Sequence, residues 1–141
     1  MKNNNFKIEF FDYVPDDIST FAYEEFKKHN IKQIGYFGIF QWCFVAKEGE
    51  KIIGIATGKL IFGGLHVKDL VIASEFRGKG IGTMLLQKVL NYGKENKCKF
   101  AYLETLSFQA LDFYKRFGFE VDFERKGYDE GITLYYLSKE L

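Results

Sequence analysis

One proline, two cysteines and no long apolar run in 141 residues exclude several classes of protein. Cys43 and Cys98 stand far apart, with no CxxC spacing and no histidine beside either, so neither a zinc site nor a redox pair is expected and no metal is called for. Both read as reduced thiols that fill space. The stretch Met1-Lys2-Asn3-Asn4-Asn5 leads into alternating polar and apolar residues rather than the apolar core of a signal peptide, and nothing approaches the length of a membrane span. The expected setting is therefore cytoplasmic, with no membrane partner. Twenty basic against nineteen acidic residues give a formal net charge of +1, so bulk electrostatics supplies no reason to expect nucleic acid. Gly-x-x-x-x-Gly-Lys-Ser/Thr is missing as well, which argues against a P-loop. There is no internal repeat and no low-complexity linker. A chain of this length with 47% hydrophobic and 28% charged residues reads as one soluble domain, 1–141, around one core.

Local chemistry is concentrated in Arg77-Gly78-Lys79-Gly80-Ile81-Gly82. It lies between an apolar strand-like segment, Leu70-Val71-Ile72-Ala73, and an amphipathic helix. Glycines remove the Cβ atoms that would hold a ligand off the backbone, the first-turn N–H groups of a helix have no helical partners, and Arg77 and Lys79 add positive charge. That combination suits a phosphate group.

The remaining pattern places the turn in a fold. Phe6–Tyr13 alternates like a strand. After Pro15 a helix carries Ile18, Phe21, Ala22 and Phe26 on one face, with Asp16 and Asp17 at its positive end. Trp42–Lys47 and Ile52–Phe62 read as strands joined through Glu48-Gly49-Glu50-Lys51, and Gly63-Gly64 turns the chain into Leu65–Ala73. Ile81, Met84, Leu85 and Val89 repeat at helical spacing, and the helix runs to about Asn96 before the strand Phe100–Thr105, which implies a parallel crossover. Ser107 can cap a short helix with the stripe Ala110, Leu111, Tyr114 and Phe117, stopped by Gly118. Phe119–Glu124 and Ile132–Ser138 close the chain as a strand pair. The expected fold is α/β, a mixed and mostly antiparallel sheet with a central parallel strand pair and helices on both faces.

The segment from Leu70 to Gly82, followed by Leu85-Leu86, resembles the acyl-CoA motif of the GNAT superfamily of N-acyltransferases, an apolar strand leading into Arg or Gln-x-x-Gly-x-Gly or Ala. Ser107-Phe108-Gln109-Ala110-Leu111-Asp112-Phe113-Tyr114-Lys115-Arg116-Phe117-Gly118-Phe119 is similar to the second motif of that superfamily, an Ala followed by a Phe-Tyr pair and then Gly-Phe. The resemblance covers Leu65 to Phe119. It implies acetyl-CoA as cosubstrate, with the pyrophosphate on Arg77, Gly78, Lys79, Gly80, Ile81, Gly82 and Thr83. The pantetheine arm would pair like an added strand with the backbone of Leu70, Val71 and Ile72 and meet Ser107 and Phe108. Ser107 stands where many members have Asn, which alters that polar contact. The acceptor would be a primary amine, and a homodimer is compatible both with the resemblance and with the apolar Ile132–Leu137, although a strand buried within one subunit accounts for that segment equally well.

Acetyl transfer needs an anchored donor, a neutral amine, stabilisation of the carbonyl oxygen and an acid for the thiolate. The resemblance makes Tyr114 the acid, against its reading as an amphipathic core residue. For the base, His66, Asp69 and Glu104 all fall on strands that should border the site. Histidine is the residue type suited to proton transfer near neutrality, which makes His66 chemically the most suitable, and proton loss through water is an alternative. Neither cysteine sits among activating partners, so transfer is expected to be direct. A domain that binds acyl-CoA without efficient transfer, acting as a sensor or interaction module, is the competing expectation.

Overall fold

The computed structural model describes residues 5–141, so the stretch Met1–Asn4 lies outside the described residues. The chain divides after Phe37 into two compact units. In the first, α1 (Asp16–Ile34) follows Pro15, whose fixed φ suits a helix entry, and has Asp16 and Asp17 in its first turn. Gly35 closes it, donating its N–H to the Ile31 carbonyl at 2.9 Å. Asn30 Nδ2 donates to the Phe37 carbonyl at 3.0 Å, and the Tyr23 and Phe37 rings meet edge to face at 5.1 Å.

The alternating segment Phe6–Tyr13 is not a strand. Alternation alone does not satisfy backbone N–H and C=O groups; a strand needs a ladder partner, and among the described residues none pairs with this segment. The expected apolar face of α1 exists as a sequence pattern, but no residue of the helix is buried.

The second unit holds a six-stranded sheet in the order β1-β2-β3-β4-β6-β5. Its strands are β1 (Ile39–Glu48), β2 (Lys51–Ile61), β3 (Gly64–Ile72), β4 (Phe100–Leu106), β5 (Glu120–Arg125) and β6 (Leu134–Glu140), with α2 (Ile81–Glu95) and α3 (Leu111–Arg116) between them. Two-residue turns at Gly49-Glu50 and Phe62-Gly63 join the first three strands into an antiparallel meander. The pair β3–β4 is parallel, joined through α2, and every other neighbouring pair is antiparallel.

Period-two alternation sorts the side chains onto two faces. Leu65 and Val67 of β3, Ala101, Leu103 and Thr105 of β4, and Leu137 of β6 are buried. Leu85, Leu86, Val89 and Leu90 of α2 complete that core. Four of these leucines, Leu65, Leu86, Leu103 and Leu137, are fully enclosed, each contributing on the order of 1.5–3 kcal/mol. Strand β6 lies between β4 and β5, so the apolar character of Ile132–Leu137 is accounted for within one subunit.

Two local expectations are corrected. Ser107 does not cap a helix: α3 begins at Leu111 with Ala110 in the cap position, and Ser107 Oγ accepts the Thr133 N–H at 3.1 Å instead. Gly118 does take the left-handed conformation expected after that helix, with φ 92°. Cys98 is buried but Cys43 is exposed. Trp42 takes the core-facing position of β1, so the pleat turns Cys43 to the other face.

Candidate functional site

β3 and β4 stay paired only from Gly64–Phe100 to Val67–Leu103, while β3 continues along β2 as far as Ile72. Beyond Val67 the sheet is therefore open on one side of β3. A register shift at Thr57/Gly58 accompanies the parting and makes Lys68 the extra residue of a bulge. Gly58 is the close approach this bulge requires: a Cβ there would collide with the His66 carbonyl and lie 2.5 Å from the Trp42 ring.

One hydrogen bond fixes which backbone groups face the opening. Ala73 N–H donates to the Ile53 carbonyl at 2.8 Å, and with Ile72 opposite Gly54 this makes Val71–Ile55 the hydrogen-bonded pair of the antiparallel ladder. Val71 is thus committed to β2, whereas the main-chain groups of Leu70 and Ile72 point toward the gap. Arg77 Nε takes one of them, donating to the Ile72 carbonyl at 3.1 Å. The Ile72 N–H and both main-chain groups of Leu70 remain on offer to an extended ligand.

The glycine turn begins immediately beyond. Gly80 occupies the N-cap position of α2 at φ 83°, no side chain caps the helix, and its first intrahelical bond runs from Met84 N–H to the Gly80 carbonyl at 3.1 Å. The preceding amides are left for an anion. Nothing lies within 4 Å of a Cβ built at Gly78 or Gly80, so the cradle is open and the left-handed backbone, not crowding, is what requires glycine there. Lys79 Nζ stands 5.1 Å from the centre of the Phe76 ring, and Lys51 ties the turn to β2 through Glu75 at 3.3 Å. The Glu75 carboxyl is held below the ordinary range, chiefly by backbone hydrogen bonding and then by Lys51. These residues fit a pyrophosphate with an extended arm running into the gap.

α3 is pinned to β4 just past the parting by a bond from Ala110 N–H to Thr105 Oγ1 at 3.3 Å. A Cβ at Gly82, in the first turn of α2, would meet the Phe113 ring at 3.7 Å, so the helix carrying Tyr114 bridges the glycine turn and the gap. Tyr114 is 7% exposed, and burial pushes its hydroxyl up to about 12. The hydroxyl makes no hydrogen bond to another described residue. Trp42 Nε1 is the one side-chain polar atom among the described residues that is both enclosed and unpartnered, so the Tyr114 hydroxyl keeps an opening. Phe108 is exposed.

Opposite the core face, the structure brings His66 and Glu104 together: Nε2 and Oε2 are 3.0 Å apart, and the side chains are 20% and 36% exposed. His66 stacks on Tyr102 at 4.7 Å, which stacks on Tyr136 at 5.9 Å. Both tyrosine hydroxyls are pushed above their ordinary range, first by burial and then by neighbouring charge that includes Glu104. Asp69 does not join the pair; its Oδ2 accepts from the Thr57 hydroxyl at 2.9 Å. His66 also borders an open cleft of about 740 Å³, shared with Gln41, Cys43, Thr57, Lys59, Lys68 and Asp69. Glu104 and Tyr114 thus lie on opposite faces of the sheet at the place where it parts. Thr57, Lys59, Lys68, Tyr102 and Tyr136 carried no signal in the sequence; cross-strand register gathers four of them around His66, and the bulge in β3 adds Lys68.

The sheet is thus parted on one side of a strand that feeds a glycine-lined helix start, an arrangement with room for an extended, phosphate-bearing ligand. Residues 9–119 match the model of the acetyltransferase (GNAT) family, and the chain belongs to that family. It is 31% identical over 99 residues to blasticidin-S acetyltransferase of Streptomyces morookaense, covering 70% of this chain and 73% of that one. With an uncharacterised N-acetyltransferase of Methanocaldococcus jannaschii it shares 32% identity over 90 residues, 61% of this chain and 58% of the archaeal protein's length. The fold matches an acetyltransferase from Bacillus cereus at a TM-score of 0.74 and 24% identity, over 94% of this chain and 98% of the other. No helix among the described residues is long and apolar enough to cross a membrane.

Proposed function

We propose that the protein moves an acetyl group from acetyl-CoA directly to a primary amine of a small molecule or peptide. The one-sided parting of β3 from β4 beside the glycine turn carries this reading, because it offers free strand edge and free helix-start amides in one continuous track. Acetyl-CoA supplies a thioester, whose carbonyl carbon accepts the amine nitrogen. The amides from Arg77 to Thr83 hold the pyrophosphate, assisted by the charges of Arg77 and Lys79. Leu70 and Ile72 pair with the pantetheine arm, and an N–H on that edge polarises the thioester oxygen, a contribution of about 2.7–4 kcal/mol where such donors have been removed from enzymes.

Proton transfers divide between the two faces. His66, with its proton on Nε2 and donated to Glu104, has Nδ1 to take the proton of an incoming ammonium. Tyr114, whose raised pKa keeps it protonated across the working range, gives its proton to the departing sulfur. The exposed Cys43 lies opposite Thr57 in the ladder, with no base bonded to it, and the buried Cys98 thiol is pushed up by burial. Neither is an activated nucleophile.

The test is thiol release from acetyl-CoA across a panel of amines, with the intact mass of the enzyme followed during turnover. Acetylated amine with an unmodified enzyme is the expected result. An acetyl group trapped on Cys43 or Cys98, together with lost activity in a folded double-serine variant, would overturn direct transfer. Binding of acetyl-CoA without turnover of any amine would leave a sensor of acyl-CoA.

A further inference from the structure

The sheet face around His66 is electrically lopsided. Lys59 of β2 lies directly opposite His66, and Gln41 of β1 directly opposite Lys59. Residues so opposed hold their Cβ atoms about 4.5–5.5 Å apart, within easy reach of a lysine side chain. Lys68, the bulge residue, lines the same cleft. On the other side, Glu104 is bonded to His66 Nε2. The cleft's own carboxylate, Asp69, accepts from the Thr57 hydroxyl, and no ion pair joins Lys59 or Lys68 to another described residue. The histidine is therefore flanked by the Glu104 carboxylate on one side and by Lys59 and Lys68 on the other, where the single Asp69 carboxylate leaves the two ammonium groups a net positive charge.

We infer that this cleft is the acceptor site and that it selects a primary amine carrying a carboxylate a few bonds away, as in a free amino acid. The inference rests on the acyl-transfer reading above. The ammonium of the acceptor is drawn to Glu104 and His66, and its carboxylate is drawn to Lys59 and Lys68. A diamine would instead set its second ammonium against the two lysines, and an amide would leave them without a counter-charge. In the reaction the amine nitrogen bonds to the acetyl carbon as the carbon–sulfur bond breaks. Of the two protons the ammonium loses, one goes through His66 to solvent; the second balances the proton that Tyr114 delivers to sulfur. The bulge supplies the geometry, because the extra residue places Lys68 beside the Lys59–His66 pair.

Matched acceptors test the assignment: alanine against alaninamide and phenylalanine against phenylalaninamide, with thiol release as the readout and acetyl-CoA binding followed separately by calorimetry. The amides are the less basic amines and have more neutral amine at the assay pH, so the comparison is biased against the expectation. The expected kcat/KM of the wild type favours the acids by about 10-fold or more. Lys59→Ala with Lys68→Ala should raise KM for the acids by about 10- to 100-fold, the usual weight of a hydrogen bond to a charged group, and leave KM for the amides within about 2-fold. Lys59→Glu with Lys68→Glu should reverse the preference. Both lysines are exposed, and the wild-type comparison stands without any variant. Equal or better use of the amides, or an alanine variant that keeps the wild-type preference, overturns the assignment. Absence of turnover with every amine, whether acetyl-CoA binds or not, would instead remove the acyl-transfer reading, and this inference with it.

Discussion

Tyr114→Phe separates a proton donor from a packing residue, because the ring stays in the core and only the hydroxyl is lost. A positioned acid contributes about 10²–10⁴-fold; the opening at the hydroxyl lets water replace part of that, so kcat should fall about 10- to 1000-fold. Acetyl-CoA affinity by calorimetry should stay within about 2-fold, as expected for an interaction made in the transition state. A second readout comes from the pKa of about 12 for Tyr114. A hydroxyl whose folded pKa is raised above its unfolded value of about 10 contributes stability that is fully present below pH 10 and is lost as pH rises through 12. Two pKa units correspond to about 2.7 kcal/mol. The wild type should therefore lose about 2 kcal/mol of that stability to denaturant between pH 10 and 12 relative to the Phe variant and the rest outside that interval, whereas at pH 7 the two should differ little, since the hydroxyl has no partner to lose. Equal kcat at saturating substrates would refute the assignment of Tyr114 as the acid, and a flat stability difference from pH 10 to 12 would refute the burial argument.

Gly80→Val forces a β-branched residue to φ 83°, a strain of about 1–3 kcal/mol, and should weaken acetyl-CoA binding at least about 10-fold in a variant shown by circular dichroism to be folded; unchanged affinity would discard the phosphate cradle. Glu104→Gln should lower kcat and also bring the Tyr102 and Tyr136 hydroxyls down toward their ordinary range, read as an earlier onset in a tyrosinate absorbance titration. A thiol reagent should label the exposed Cys43 well before the buried Cys98, and the variant carrying Cys43→Ser and Cys98→Ser should keep most of its activity. Labelling of both thiols at one rate would contradict the burial of Cys98.

Signals that reside in neighbouring residues were legible in the sequence. The glycine turn, the apolar stripe of α2 and the turn-bounded strands β2, β3 and β4 are each read from a few neighbouring positions, and the structure has them within a residue or so of where the sequence puts them. What depends on a distant partner was not legible. Phe6–Tyr13 alternates as well as any strand, yet a strand exists only with a neighbour to satisfy its backbone. Cys43 alternates with Trp42, but which of them faces inward is decided by the helix packed on the sheet. His66 and Glu104 are 38 positions apart, and their contact follows from the parallel register of β3 and β4, which no local pattern encodes. Ser107 has the chemistry of a cap and bonds to Thr133 instead, a residue 26 positions away.

The parting of β3 from β4 ties these observations to one cause. A parallel pair that continued past Val67–Leu103 would satisfy the main chain of Leu70 and Ile72, and leaving those groups unpaired costs free energy wherever water is excluded. The bulge at Lys68 keeps the cost local: β3 retains β2 as a neighbour, Arg77 satisfies the Ile72 carbonyl, and the remaining groups stay open, where the proposed acetyl-CoA would complete the ladder. Closing the gap would therefore stabilise the sheet and abolish the site. The same bulge needs glycine at position 58, because the His66 carbonyl and the Trp42 ring occupy the space of a side chain there. Gly58→Ala should consequently act twice: overpacking costs about 1–3 kcal/mol of stability, and displacing the His66 backbone lowers kcat beyond what that lost stability explains. Denaturant unfolding and steady-state kinetics on the same preparation separate the two effects. A variant that loses stability but keeps full kcat while folded would show that the bulge supports the sheet without positioning His66.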